Sequence, residues 1–348
     1  MAYTTIDKPT DYFETNLHTG TGSTHNITSL DFAPDFVWLK SRTQGGTGYN
    51  GMHYLFDTIR GATKRVRAND NSAEATSSAS LTAFNSDGYT LGTDEIVNKS
   101  GDAYVGWSWL GGGTASSNSN GSITSSVSAS TTSGFSIVSY TGTGANATVG
   151  HGLGVAPKMI HIKNRTTARG WISGHESIGW TKNLYLDGTN AEDTRSDTFN
   201  NTSPTSSVFS IGSSVGVNEN TDSMIAYCFA EKQGYSKFGS YTGNGSASDG
   251  VFIYTGFKPA FVMVKRTDST ANWQILDNKR NTYNPWNTAL FPDTSEPDTT
   301  DYSTDHLSNG FKLRVTTTSR NGSGASYIYM AFAENPFVTS TGVPATAR

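Results

Sequence analysis

A chain of 348 residues with a net charge of −4 and 16% charged side chains has no basic footprint of the kind a phosphate backbone requires, so no nucleic-acid partner is expected. The single cysteine, Cys228, rules out an intrachain disulfide. Neither a basic-apolar leader at Met1-Ala2-Tyr3-Thr4-Thr5 nor an apolar run of about 18 residues occurs, which predicts a protein made in a cytoplasm and not inserted in a membrane. Low hydrophobic content (34%) with 37 Gly, 16 Tyr and 17 Phe suits short strands joined by polar turns, and an all-β fold is expected.

Along the chain, residues 1–11 form a polar arm and residues 12–110 a first module, with alternation clear in Phe36-Val37-Trp38-Leu39-Lys40 and a turn at Ser86-Asp87-Gly88. Residues 111–134 are almost all Gly, Ser, Thr or Asn and predict a flexible connection, although Ile123 and Val127 suit an edge strand of the next module. A second module spans 135–231 and a third 235–334. Only Lys232-Gln233-Gly234 separates these two, so they are expected to pack rigidly, unlike modules one and two. Residues 335–348, with Pro336 and Pro344, read as an extended tail.

The three modules repeat one phrase. It opens on Thr19-Gly20-Thr21-Gly22, Thr141-Gly142-Thr143-Gly144 and Thr242-Gly243-Asn244-Gly245. It continues through a proline and an apolar run to Lys40, Lys163 and Lys265. It closes on Asn98, Asn218 and Asn321 before an aromatic strand, with Glu231 and Glu334 ending the last two copies. A period on the order of 100 residues is that of a domain rather than a solenoid unit, and predicts three tandem β-sandwich or jelly-roll-like modules.

Candidate chemistry is sparse. The Gly-Thr-Gly loops lack a following helix and a Gly-Lys-Ser/Thr sequence, so they read as β-turns. No Gly-x-Ser-x-Gly elbow occurs, His175-Glu176 lacks a counterpart in the other modules, and no enzyme or cofactor is expected. The acidic run Asp293 to Asp305 gathers oxygen ligands of the type calcium takes, but its spacing fits no EF-hand and a solvated loop is the expectation. The recurrent lysines, with Arg42, Arg165 and Arg266 near them and Arg60 and Arg280 after Asp57 and Asp277, suit an ion pair at each sandwich rim; contacts between modules or copies are the other reading. Glu231 and Glu334 suit strand-end salt bridges or inter-module contacts. Trp171, Trp180, Trp273, Tyr283 and Trp286 lie in loop-like sequence and are candidate stacking platforms for a glycan or receptor.

Four stretches carry a resemblance: Pro34-Asp35-Phe36-Val37-Trp38-Leu39-Lys40-Ser41-Arg42, Leu55-Phe56-Asp57-Thr58-Ile59-Arg60-Gly61-Ala62, Gly134-Phe135-Ser136-Ile137-Val138-Ser139-Tyr140-Thr141-Gly142 and Ala331-Phe332-Ala333-Glu334-Asn335-Pro336. Together they resemble a family of tandem-repeat virion proteins of tailed, marine-type bacteriophages, over nearly the whole chain. The resemblance implies a non-enzymatic tail-fibre-like structural protein, made in the host cytoplasm and released on lysis. Other virion proteins, further copies of itself and a host-surface glycan or receptor are its expected partners. Capsid decoration is the alternative and a surface-glycan depolymerase the third reading. Neither heptads nor short fibrous repeats occur, which favours a globular tip, adaptor or head-surface role over a shaft.

Overall fold

The computed structural model describes residues 2–45 and 51–346, so the first residue of the arm and the last two of the tail lie outside it. The fold is all-β, and each named ladder is antiparallel. A four-stranded sheet order occurs three times: Phe13–Thr19, Ala103–Trp109, Phe36–Ser41, His53–Asp57; then Phe135–Thr141, Ser223–Phe229, Met159–Asn164, Ile172–His175; then Ser236–Thr242, Ser326–Pro336, Phe257–Arg266, Gln274–Asp277. Over the outer face of each lies a smaller sheet: His25–Ile27, Gly88–Leu91 and Leu81–Asn85; Ala147–Gly150 and Val208–Ile211; Phe252–Tyr254, Gly310–Leu313 and Thr304–Leu307.

The inner strands are buried on both faces, and strand alternation explains how. Val37 and Leu39 point to a core private to the first unit, as do Ile160 and Ile162 in the second and Val262 and Val264 in the third. The intervening side chains, Phe36 and Trp38, Met159, and Phe261 and Met263, meet in one core shared by all three units. The three repeats are therefore not independent sandwiches on a string. Each inner sheet is a wall of a common centre, and the units close into a ring about it.

Two expectations about connections are corrected. Residues 111–134 are folded: Ser116–Asn118 and Ser125–Ser130 extend the second inner sheet, Gly111 N donates to Asp35 Oδ2 at 2.9 Å, and Ile123 and Val127 enter the second private core. Units one and two pack on the same central core as two and three, so neither pair is joined by a flexible connection alone. Arm and tail meet, with Ser340 N donating to Asp7 Oδ1 at 2.6 Å, while Tyr3 and Thr4 reach Gly256 O and Gln233 O at 2.7 and 2.8 Å.

The repeated opening turn has one construction. A Cβ on Gly20 or Gly142 would lie 2.1 Å from the carbonyl oxygen of Lys99 or Glu219, so only glycine fits there. Asn98 accepts from Thr21 N at 2.8 Å and donates to Ser23 O and Gly92 O, both at 2.6 Å. Asn218 does the same with Thr143 N, Ala145 O and Gly212 O, and Asn321 with Asn244 N, Ser246 O and Val315 O. These fully buried amides clamp turns and leave nothing for a ligand.

Candidate functional site

The recurrent polar residues assemble at the seams between units. Lys40 donates to Ser41 O of its own unit at 2.7 Å and to Ser295 O of the third at 3.4 Å. Lys163 reaches Asn71 O of the first unit at 3.0 Å and Arg169 O of its own; Lys265 reaches Thr189 O of the second at 3.0 Å and Ala271 O of its own at 2.7 Å. The lysines thus run head to tail round the ring, and for them the rim ion pair is corrected to an inter-unit contact with backbone carbonyls, while Arg60 and Arg280 do pair within their own units with Asp57 and Asp277. Burial pushes their ammonium groups down, to about 7 for Lys40 and about 8 for Lys163 and Lys265.

At two seams a buried ion cluster joins them. Asp57 pairs with Arg60 and accepts from Tyr227 of the second unit at 2.7 Å, while Arg60 Nη2 donates to that hydroxyl at 3.2 Å. Asp277 pairs with Arg280 at 2.6 Å and accepts from Trp107 of the first unit at 3.1 Å. Flanking them, Arg165 reaches Glu74 at 2.8 Å and Arg42 reaches Asp298 at 2.8 Å, again between units. The same register positions between units two and three hold His175, Ile178 and Met330 instead. Arg266 is out of step, one residue after its lysine rather than two, and pairs locally with Asp268 at 2.7 Å.

The remaining expected residues sit as follows. Glu231 pairs with Lys237 at 2.7 Å and Glu334 with Lys258 at 3.3 Å. Trp171, Trp180, Trp273 and Trp286 are all buried, the first and third in the shared core, which corrects their reading as surface platforms. Their indole nitrogens show why a loop tryptophan is needed inside: Trp171 Nε1 donates to Arg67 O of the first unit at 2.7 Å, and Trp273 Nε1 to Tyr185 O of the second at 2.8 Å. Tyr283 alone of the five is on the surface, 80% exposed.

In the acidic loop Asp298 is held by Arg42 and Arg280, Asp305 by Arg314 at 2.5 Å, and Asp293 accepts from Trp273 N at 3.0 Å. Among the described residues no group of three His, Cys, Asp or Glu gathers in metal-binding geometry. His161 Nδ1 and Ser173 Oγ come within 2.7 Å, a base–nucleophile distance, yet both lie buried and burial pushes the imidazole down to about 3. His175 and Glu176 point apart, the first to Tyr329 O at 3.3 Å and the second to Lys158 at 2.5 Å.

An open cleft of about 470 Å³ lies between the arm, the strand Phe13–Thr19 and the third unit. Its charges are mutually engaged: Lys8 with Asp11 at 2.9 Å and Asp31 at 3.0 Å, and Lys279 with Glu14 at 3.8 Å. A different feature distinguishes the third unit. In its outer sheet Ile253 points inward, as Ile27 and Val149 do in the others, so Phe252 and Tyr254 flank it facing outward. The register gives Asn26 and Thr148 where Phe252 stands, and Thr28 and Gly150 where Tyr254 stands. Phe252 and Tyr254 are 44% and 54% exposed, and with Tyr283 they are the large exposed aromatics among the described residues. The sequence signal for them is aromatics alternating with the inward Ile253, which the tryptophan-centred reading passed over.

No curated protein and no solved structure matches this chain. A family model does match, over residues 8–336, which takes in all three inner sheets, and the chain belongs to that family, described as a domain of unknown function, DUF7483.

Proposed function

We propose that this chain is a structural component of a tailed-bacteriophage particle, acting without catalysis as a tail fibre or receptor-contacting tail appendage through its third unit. One observation carries the reading: among the described residues the large exposed aromatics, Phe252, Tyr254 and Tyr283, all belong to that unit, while the repeated lysines and the paired arginines are spent on seams. Exposed aromatic faces are unfavourable in water and suit stacking on sugar rings or packing on a receptor. Because these aromatics occur in one unit among the described residues, multivalency comes from copies of the chain and not from three equivalent modules.

Gold-labelled antibody against this protein is expected to decorate the tails of intact particles. Label over the head lattice would assign it to capsid decoration instead. The triple variant Phe252→Ser, Tyr254→Ser, Tyr283→Ser is expected to keep the parent melting temperature and lose about tenfold or more in adsorption to host cells. Unchanged adsorption would overturn the contact face, and release of reducing ends from host polysaccharide would overturn the non-enzymatic reading.

A further inference from the structure

The private core of the third unit departs from its two counterparts. Arg320 precedes Asn321 in the repeated turn, where Val97 precedes Asn98 and Val217 precedes Asn218, and all three are fully buried. Gln274 stands opposite Val264 as Tyr54 stands opposite Leu39 and Ile172 opposite Ile162. His306 faces Phe311 as Phe84 faces Tyr89. Three positions of one core that are apolar or aromatic elsewhere in the ring have become a guanidinium, an amide and an imidazole.

Donors then outnumber acceptors. Arg320 Nη1 donates to Gln274 Oε1 at 3.2 Å, but its Nε and Nη2 are buried with no partner, and no ion pair to it is present among the described residues. The ring of His306 stacks on Trp286 at 3.3 Å, and both its nitrogens and the Trp286 indole nitrogen also lack partners. Burial and then the Arg320 charge push His306 well below its ordinary value, so the imidazole is neutral and offers one N–H. A guanidinium keeps its proton in proteins, and burying it without counter-charge costs several kcal/mol that valine at the same place does not. Water would satisfy the hydrogen bonds and leave the charge uncompensated. Gln274, Trp286, His306 and Arg320 are 0–1% exposed, and such burial favours a small, readily dehydrated ion over sulfate or phosphate.

We propose that the third private core holds one small monovalent inorganic anion of chloride size, bound by Arg320 Nε–H and Nη2–H. Thermal melts of the full chain at constant ionic strength, exchanging gluconate for chloride, are expected to rise by a few degrees over about a hundredfold span of chloride, as mass action on the folded state requires. Arg320→Val, which installs the residue of the other two units, is expected to flatten that dependence. Crystals of the unmodified protein soaked in bromide are expected to show an anomalous peak beside Arg320 Nε and Nη2, a readout that does not depend on the variant folding. Melts indifferent to chloride, or a bromide-soaked crystal with only water at that place, would overturn the site.

Discussion

Two seams of this ring carry a buried ion cluster at a position that the third seam fills without charge, although all three enclose the same core. Asp57–Arg60–Tyr227 joins units one and two, Asp277–Arg280–Trp107 joins units three and one, and His175, Ile178 and Met330 occupy the corresponding place between two and three. The difference tracks the chain. Units two and three are tied by the three residues Lys232-Gln233-Gly234, so covalent geometry fixes how they meet. Between the inner sheets of units one and two the chain adds the strands Ser116–Asn118 and Ser125–Ser130, and units three and one are the last and first of the chain. Apolar burial is non-directional, whereas a hydrogen-bonded ion cluster has one satisfactory alignment; charge at those two seams therefore supplies register.

The sharpest way to break the comparison is to strip one carboxylate. Asp57→Ala leaves the buried Arg60 with the Tyr227 hydroxyl and the more distant Glu74 carboxylate at 3.5 Å, and is expected to cost about 3–5 kcal/mol, read from the denaturant midpoint. His175→Ala, at the same register position of the third seam, loses a long hydrogen bond to Tyr329 O and one accepted from Ser177 N at 3.1 Å, but strands no buried charge, and is expected to cost about 1–2 kcal/mol. Equal losses would show that the ion cluster does not distinguish the seams.

A control inside the units comes next in size. Asn98→Ala, Asn218→Ala and Asn321→Ala each orphan one buried N–H and two carbonyls of an identical turn. Each is expected to cost about 2–3 kcal/mol, and the three to agree within about 1 kcal/mol. A spread as wide as that between Asp57→Ala and His175→Ala would mean that the asymmetry belongs to whole units and not to their seams.

The flanking pairs are smaller. Arg165→Ala removes a two-point contact to Glu74 across a seam, at 2.8 and 3.1 Å and partly exposed, and is expected to cost about 1–2 kcal/mol. Arg266→Ala, whose pair with Asp268 stays inside its own unit, is expected to change stability by less than about 0.5 kcal/mol. A loss at Arg266 as large as at Arg165 would sink the distinction between seam and surface.

Much of this was legible in the residues. Alternation in Phe36-Val37-Trp38-Leu39-Lys40 and its copies marks the inner strands, and the repeated Asn and Gly mark the turns they clamp. That these strands are buried on both faces was also written there, because both alternate sets are apolar. A lone sandwich would leave one set polar, and that is the signal for a shared core. The tryptophans misled for a physical reason. Trp171 and Trp273 do sit where strands begin, as loop residues do, but those loops fold over the neighbouring unit and sequence does not show what covers a loop. The polar segment 111–134 misled similarly, since Ser125–Ser130 is ordered mostly by ladder hydrogen bonds to Phe135–Thr141, with Val127 its one large apolar side chain in the core. The unpaired Arg320 needed the register, since alignment of the three turns is what sets it against Val97 and Val217.

The lysine ring gives the smallest and most general test, because one lysine serves each seam whether or not that seam is ionic. Burial holds Lys40 at about 7 and Lys163 and Lys265 at about 8, against 10.5 for the unfolded chain. Between those values the unfolded state binds more protons, so stability rises with pH through the window. Above about pH 9 the thiol and then the phenols of the unfolded chain ionise while burial keeps Cys228 and Tyr227 protonated in the fold, which reverses the slope. Asp293, pushed up to about 7 by burial, acts in the opposite sense only below that value. The clean interval is therefore about pH 7 to about pH 9, where the melting temperature is expected to climb. Lys40→Met is expected to shallow the climb and Lys265→Met to shallow it similarly, since the slope depends on burial and not on the ions nearby. A melting temperature that falls across this interval, or a slope unchanged by both substitutions, would show that the ammonium groups keep their protons and that the carbonyls around them outweigh desolvation.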